Sequence, residues 1–243
     1  FNHIVISTGV KPRKLSIEGA NNHKVLNYME AINSPEKVGR RVAVIGAGGI
    51  GFDVSEYPMR DSNTKIEHDF VFIGRLLEEK GAIRFIRMGI CLSNLIPDIK
   101  LKMFGPLKRG FTTQLSFEEE KFFEEIYGGE LAHSAFVLQR TKFLVLPSKR
   151  EGLSRITMEA MSTGCIVVGS AVPGVTDLIQ HDYSGFLFDL NNNDSELAKY
   201  MISINGLSEE QLTVLRKNAR TFVEHKLNLD EVLSFYLALT TMQ

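Results

Sequence analysis

Short runs of β-branched and aromatic residues alternate along the chain with longer stretches whose apolar positions recur every three to four residues. The runs His3–Ser7, Arg41–Ile45, Asp69–Ile73, Ile99–Phe104, Phe143–Leu146, Cys165–Val168 and Gly185–Phe188 read as strands. Helical spacing between them predicts helices over Ile50–Tyr57, Ala82–Leu95, Phe117–Ile126, Ser154–Ser162 and Ser195–Ile204, with Glu209–Glu224 and Leu229–Leu239 closing the chain. Several strands are unbroken apolar runs, such as Val42-Ala43-Val44-Ile45 and Phe143-Leu144-Val145-Leu146. Strands of that kind are buried on both faces, and alternation with helices implies βαβ units. The expected fold class is α/β, a mostly parallel sheet with helices on both faces.

The rhythm breaks once. Pro58 cannot continue the short helix before it, and the polar stretch Met59-Arg60-Asp61-Ser62-Asn63-Thr64-Lys65 has little periodicity. The expected organisation is a segment over 1–57, a junction over 58–67 and a domain over 68–243. The 243 residues are enough to bury a core without staples. Twenty-eight basic and 29 acidic residues leave a net charge of −1, which argues against a generally basic nucleic-acid binder. No uncharged apolar run reaches the length of a membrane span. The start Phe1-Asn2-His3-Ile4 has neither Met nor a basic n-region and reads as the interior of a chain, not a signal peptide. Cys91 and Cys165 lie far apart in apolar runs, which fits buried thiols of a reducing compartment better than a disulfide or metal pair. His133 and His181 are isolated and read as non-catalytic.

Four constellations carry candidate chemistry. Gly46, Gly48 and Gly51 form G-x-G-x-x-G after a strand and at the start of a helix, a context that suits a dinucleotide pyrophosphate and also fits a tight turn that binds nothing. Gly74-Arg75 and Lys80 follow the strand Asp69–Ile73. Two cations five residues apart at a strand-to-helix connection can converge on a phosphate, or stand as solvated surface charges. In Leu146-Pro147-Ser148-Lys149-Arg150-Glu151-Gly152-Leu153-Ser154, a strand leads through a turn to a helix start whose amides suit an anion. Glu159 follows Glu151 with seven residues between them and can offer a carboxylate to vicinal hydroxyls; the plainer alternative is a helix-start charge and a surface residue. Val172-Pro173-Gly174 and Gly185-Phe186-Leu187 complete a series of Gly-rich turns into strands.

Two families share these motifs. Ser7-Thr8-Gly9-Val10-Lys11-Pro12 resembles the A-T-G-x-x-P strand of flavoproteins with two dinucleotide domains, and the run Gly39–Val54 resembles the pyridine-nucleotide domain of bacterial 2,4-dienoyl-CoA reductases. That resemblance implies common ancestry for 1–57, with NADP(H) at Gly46, Gly48 and Gly51 only if the segment still acts as part of an oxidoreductase. The flavin domains and iron–sulfur cysteines of that family have no counterpart in the sequence. From residue 68 onward, G-R-L-x-x-x-K-G, L-P-S-x-x-E-G followed by E-A-M-x-x-G, V-P-G and G-F-L resemble the C-terminal donor domain of GT-B retaining glycosyltransferases (group 1, glycogen-synthase-like).

This second resemblance implies a Rossmann-like half of a GT-B fold and hexosyl transfer from a nucleotide-sugar, a UDP-sugar above all. No metal or other cofactor is implied. Arg75 and Lys80 would hold the diphosphate, with Gly74 beside them. Glu151 would meet the donor sugar, the backbone of Gly152, Leu153 and Ser154 the sugar and phosphate, and Glu159 the ribose hydroxyls. Arg75, Lys80 and Glu151 would be the catalytic set. The implied acceptor is a saccharide or a lipid-linked saccharide at the cytoplasmic membrane face, so the expected location is the cytoplasm, peripheral to that membrane. A GT-B enzyme also has an acceptor domain before the donor domain, and its absence from these residues implies a hybrid chain incomplete for transfer. A non-catalytic α/β subunit that pairs with a separate acceptor-binding chain stays open. The amphipathic closing helices would self-associate if their apolar faces were bare.

Overall fold

The computed structural model describes residues 57–226, together with Ser34 and Lys37. The chain divides into two compact units, Phe1–Gly46 and Ala47–Gln243. The expected strands at His3–Ser7 and Arg41–Ile45, nearly all of the helix Ile50–Tyr57, the helix Leu229–Leu239 and the glycines Gly46, Gly48 and Gly51 lie outside the described residues.

Five strands form one sheet: β1 (His68–Ile73), β2 (Leu101–Phe104), β3 (Thr141–Leu146), β4 (Ile166–Ser170) and β5 (Phe186–Phe188). Their order is β2-β1-β3-β4-β5, and every neighbouring pair is parallel. Among the described residues six α-helices accompany them: α1 (Ala82–Leu95), α2 (Phe117–Ile126), α3 (Ala135–Gln139), α4 (Arg155–Thr163), α5 (Asp194–Asn205) and α6 (Glu209–Lys226). The arrangement is a Rossmann-like half-domain.

Side chains alternate across each strand, and the sequence supplies apolar residues at both phases. Phe70, Phe72, Met103, Phe143, Val145 and Val168 face one core, with α1, α2 and α5. Val71, Ile73, Leu144, Leu146 and Val167 face the other, with α3 and α4. Helix α6 serves both, through Leu212 and Leu215 on one side and Ala219 and Val223 on the other. Its apolar face is therefore largely covered, while Val214 stays exposed. The Phe70 and Phe143 rings stack across β1 and β3 at 5.0 Å.

The predicted α1 and α2 agree residue for residue with the structure, and the other described elements shift by up to two residues. The short helix α3 was not expected, because its five residues are too few to show a period. Cys91 and Cys165 are both free thiols; Cys165 is buried, with its pKa pushed up to about 12 by desolvation, whereas Cys91 is half-buried. His181 accepts from the Leu187 amide at 3.0 Å, a structural role in the turn before β5. His133 is exposed.

Removing the Phe143 ring leaves a cavity between both halves of the first core. Phe143→Ala is expected to cost about 3–5 kcal/mol in urea denaturation. His68 sits beside the Phe104 ring, and burial holds its imidazole pKa below the ordinary value. The unfolded chain then binds more protons at this position, so its contribution to stability falls as pH drops through the ordinary histidine range. Unfolding midpoints measured from pH 7.5 to 5.5 should therefore fall less in His68→Gln than in the parent chain.

Candidate functional site

The chain leaves β1 for β2 on one side and returns to β3 on the other. In a parallel sheet this reversal opens a crevice at the carboxyl ends of the two strands. A recess of about 190 Å³ lies there, lined by Gly74, Arg75 and Lys80 after β1 and by Ser148, Glu151, Leu153 and Ser154 after β3. Lys80 and Glu151, 71 positions apart in the sequence, thus meet because their strands are neighbours.

Backbone contacts hold the two loops together. Gly81 has φ +76°, and a Cβ there would lie 2.1 Å from the Pro147 carbonyl oxygen. Only glycine lets the turn Glu78–Lys80 come so close to the β3 loop. The Lys149 amide donates to the Glu79 carbonyl at 2.9 Å, and the Ser148 hydroxyl oxygen lies 3.4 Å from the Lys80 carbonyl oxygen. Lys80 Nζ is consequently 2.7 Å from Glu151 Oε2, and Ser148 donates to Glu151 Oε1 at 2.7 Å. The Glu151 side chain is only 10% exposed, and both partners hold its carboxylate in place.

Positive potential remains after that pairing. Arg75 is exposed and makes no ion pair among the described residues. Helices α2 and α5 begin with full capping boxes, Ser116 with Glu119 and Asn193 with Glu196. Helix α4 begins at Ser154 with no side-chain cap and no acidic residue in its first turn. The Ser154 hydroxyl instead accepts from Thr157 Oγ1 at 2.8 Å. The first-turn residues Arg155 and Ile156 line the recess, and helical geometry leaves their N–H groups without intrahelical acceptors. One carboxylate, Glu151, faces Arg75, Lys80, the Glu159-paired Arg155 and an uncapped helix start, an arrangement suited to an anion.

The Val172-Pro173-Gly174 turn supports the Glu151 loop. Gly174 has φ +83°, and a Cβ there would lie 1.8 Å from the Gly152 carbonyl oxygen. Gly152 itself has nothing within 4 Å of a Cβ position, so internal packing does not require its lack of a side chain.

Glu159 stands apart from the residues that line the recess. It is 6% exposed, and three donors close its carboxylate: Arg155 Nε at 2.8 Å and the Tyr57 hydroxyl at 3.1 Å on Oε1, and the Ser134 hydroxyl on Oε2. Arg155 Nη2 also reaches the Tyr57 oxygen at 3.3 Å. Burial raises the Tyr57 pKa, so its hydroxyl stays a donor at neutral pH. Sequence reasoning missed Ser148, Arg155, Ser134 and Tyr57. The four-residue spacing of Arg155 and Glu159 was a usable signal; Tyr57 and Ser134 arrive from distant segments with no local signal. Among the described residues no group of three or more His, Cys, Asp or Glu forms a candidate metal site, and no helix is long and apolar enough to cross a membrane.

The profile of the family described as Glycosyl transferases group 1 matches residues 59–222, and that of Pyridine nucleotide-disulphide oxidoreductase matches residues 1–71. A curated relative, the Escherichia coli UDP-Gal:alpha-D-GlcNAc-diphosphoundecaprenol alpha-1,3-galactosyltransferase, is 26% identical over 69% of this chain and 45% of its own length. The chain spans about half the length of the curated relatives it matches. The structure of Anabaena Alr3699/HepE in complex with UDP aligns over 79% of this chain and 56% of that one, with a TM-score of 0.66 and 19% identity. The C-terminal domain of a Francisella tularensis glycosyl transferase group 1 protein (LpcC) aligns over 73% of this chain and 98% of that one, with a TM-score of 0.57 and 18% identity. At these identities the structural likenesses establish the fold.

An alanine at Gly174 must displace the Glu151–Gly152 turn, and the left-handed backbone alone adds about 1–2 kcal/mol. Gly174→Ala should lower the unfolding midpoint and move the amide resonances of Gly152–Ser154. Unchanged resonances would contradict the contact.

Proposed function

Because the chain belongs to the group 1 glycosyl transferases, we propose that its recess binds the diphosphate of a nucleotide-sugar, a UDP-sugar in the first instance, for retaining transfer to a saccharide or lipid-linked acceptor. The observation that carries this reading is the convergence of Arg75, Lys80 and the uncapped start of α4 on one recess at the β1/β3 crevice. The UDP bound in the Anabaena structure and the lipid-diphosphate acceptor in the Escherichia coli enzyme's name support the donor and acceptor classes.

Each residue's role follows from its charge and place. The donor diphosphate competes with Glu151 for Lys80, since 2.7 Å separates that pair. Glu151, still held by Ser148, then turns its freed oxygen to a sugar hydroxyl. Gly152 and Leu153 lie along the sugar and phosphate, and Gly74 lets the phosphate come close to the β1 loop. Glu159 accepts from the ribose diol. When the bond from the anomeric carbon to the diphosphate breaks, negative charge stays on the phosphate. Arg75, Lys80 and the first-turn amides of α4 stabilise it without a metal ion. On this reading 68–243 is the donor domain, 58–67 a junction and 1–57 a dinucleotide-type segment. The protein works in the cytoplasm, peripheral to the membrane face that presents a lipid-linked acceptor.

A second reading has one observation in its favour: the oxidoreductase match over 1–71 includes Gly46, Gly48 and Gly51. On that reading the first segment binds NADP(H). Calorimetry with UDP, a UDP-sugar and NADPH separates the two. UDP binding should weaken about ten- to hundredfold in Arg75→Ala and in Lys80→Ala, the loss expected for one charge-assisted contact. Binding of NADPH with no UDP or UDP-sugar binding would reject the donor reading.

A further inference from the structure

Arg155 occupies an awkward place for a cation. It is the first residue of α4, where the helix dipole already presents positive charge, and no acid stands in that first turn. Its guanidinium folds back along the helix onto Glu159, with Nε 2.8 Å from Oε1. The side chain is nevertheless 45% exposed, against 8% for Glu159, and the residue lines the recess with Arg75 and Lys80. One guanidinium therefore touches the buried carboxylate and borders the phosphate recess at once.

We propose that Arg155 makes ribose recognition conditional on a diphosphate. The inference rests on the donor reading, with Glu159 as the acceptor for the ribose diol. The diol takes Oε1 of Glu159 by displacing the Arg155 guanidinium. That group then swings across the recess wall onto the phosphoryl oxygens beside Arg75 and Lys80. A nucleoside without phosphates breaks the Arg155–Glu159 pair and offers the guanidinium nothing in exchange. A nucleoside diphosphate supplies oxygens that match its planar fork. No bond of the nucleotide forms or breaks in this exchange. Arg155 is thus a specificity-determining residue that favours the charged donor over uncharged nucleosides.

The test uses the full 243-residue chain and titrates UDP and uridine, by calorimetry for the first and by NMR up to solubility for the second. In Arg155→Met, uridine binding should tighten and UDP binding weaken, so the ratio of the uridine Kd to the UDP Kd falls about tenfold or more. Arg155→Lys keeps the charge and should recover part of the ratio. Melting curves confirm that both variants fold, as expected for a half-exposed position. If Arg155→Met leaves the ratio unchanged, or shows no uridine binding, while the parent chain binds UDP, the inference is overturned and the donor reading survives. If the parent chain binds no UDP, the donor reading itself fails and takes the inference with it.

Discussion

The contact between Lys80 and Glu151 ties the site to the fold. It joins the loop after β1 to the loop after β3 at 2.7 Å. Those loops can meet only because β1 and β3 are parallel neighbours and the chain reverses direction of travel across the sheet between them. The stacked rings of Phe70 and Phe143 lock the same two strands, and the close approach of Gly81 to Pro147 locks the loops above them. Core packing, sheet order and one glycine thereby place a cation and a carboxylate within a single recess. The pair is partly buried, so its value lies in geometry more than in net stability. On the proposed donor reading, it keeps two charges poised where a diphosphate and a sugar hydroxyl would take over as partners.

Helices α2 and α5 start with capping boxes, whereas α1, α3 and α4 have neither a side-chain cap nor an acid in the first turn. Of these three, α4 is the one whose first-turn residues Arg155 and Ile156 line the recess. The same helix carries Arg155 and Glu159 one turn apart. The strap at Tyr57 closes over them, with Arg220 donating to the carbonyls of Tyr57 and Ser162 at 2.7 and 2.6 Å. Tyr57, just ahead of Pro58, thus forms part of the wall behind Glu159.

Much of this was legible in the sequence. The apolar runs at Phe143–Leu146 and Asp69–Ile73 announce buried parallel strands, and the full extents of α1 and α2 follow from their periodicity. The motif residues Arg75, Lys80, Glu151 and Ser154 come together as their position after adjacent strands requires. What spacing could not supply was partnership between distant segments. Nothing near Ser134 or Tyr57 shows that their hydroxyls end on Glu159, because those contacts span 25 and 102 residues. The burial of Glu159 was partly signalled by its apolar neighbours Ile156, Met158 and Met161, which argue against a surface position. The short helix α3 escaped because five residues cannot establish a period.

The β1/β3 crevice is proposed as a nucleotide-sugar site built from Arg75, Lys80, Glu151 and the start of α4. A crystal structure of the chain with UDP tests it most directly. The β-phosphate should lie within hydrogen-bonding distance of Arg75 and Lys80, beside the Ser154–Ile156 amides, with Glu151 released from Lys80. UDP bound outside this crevice, with the Lys80–Glu151 pair intact, would contradict it.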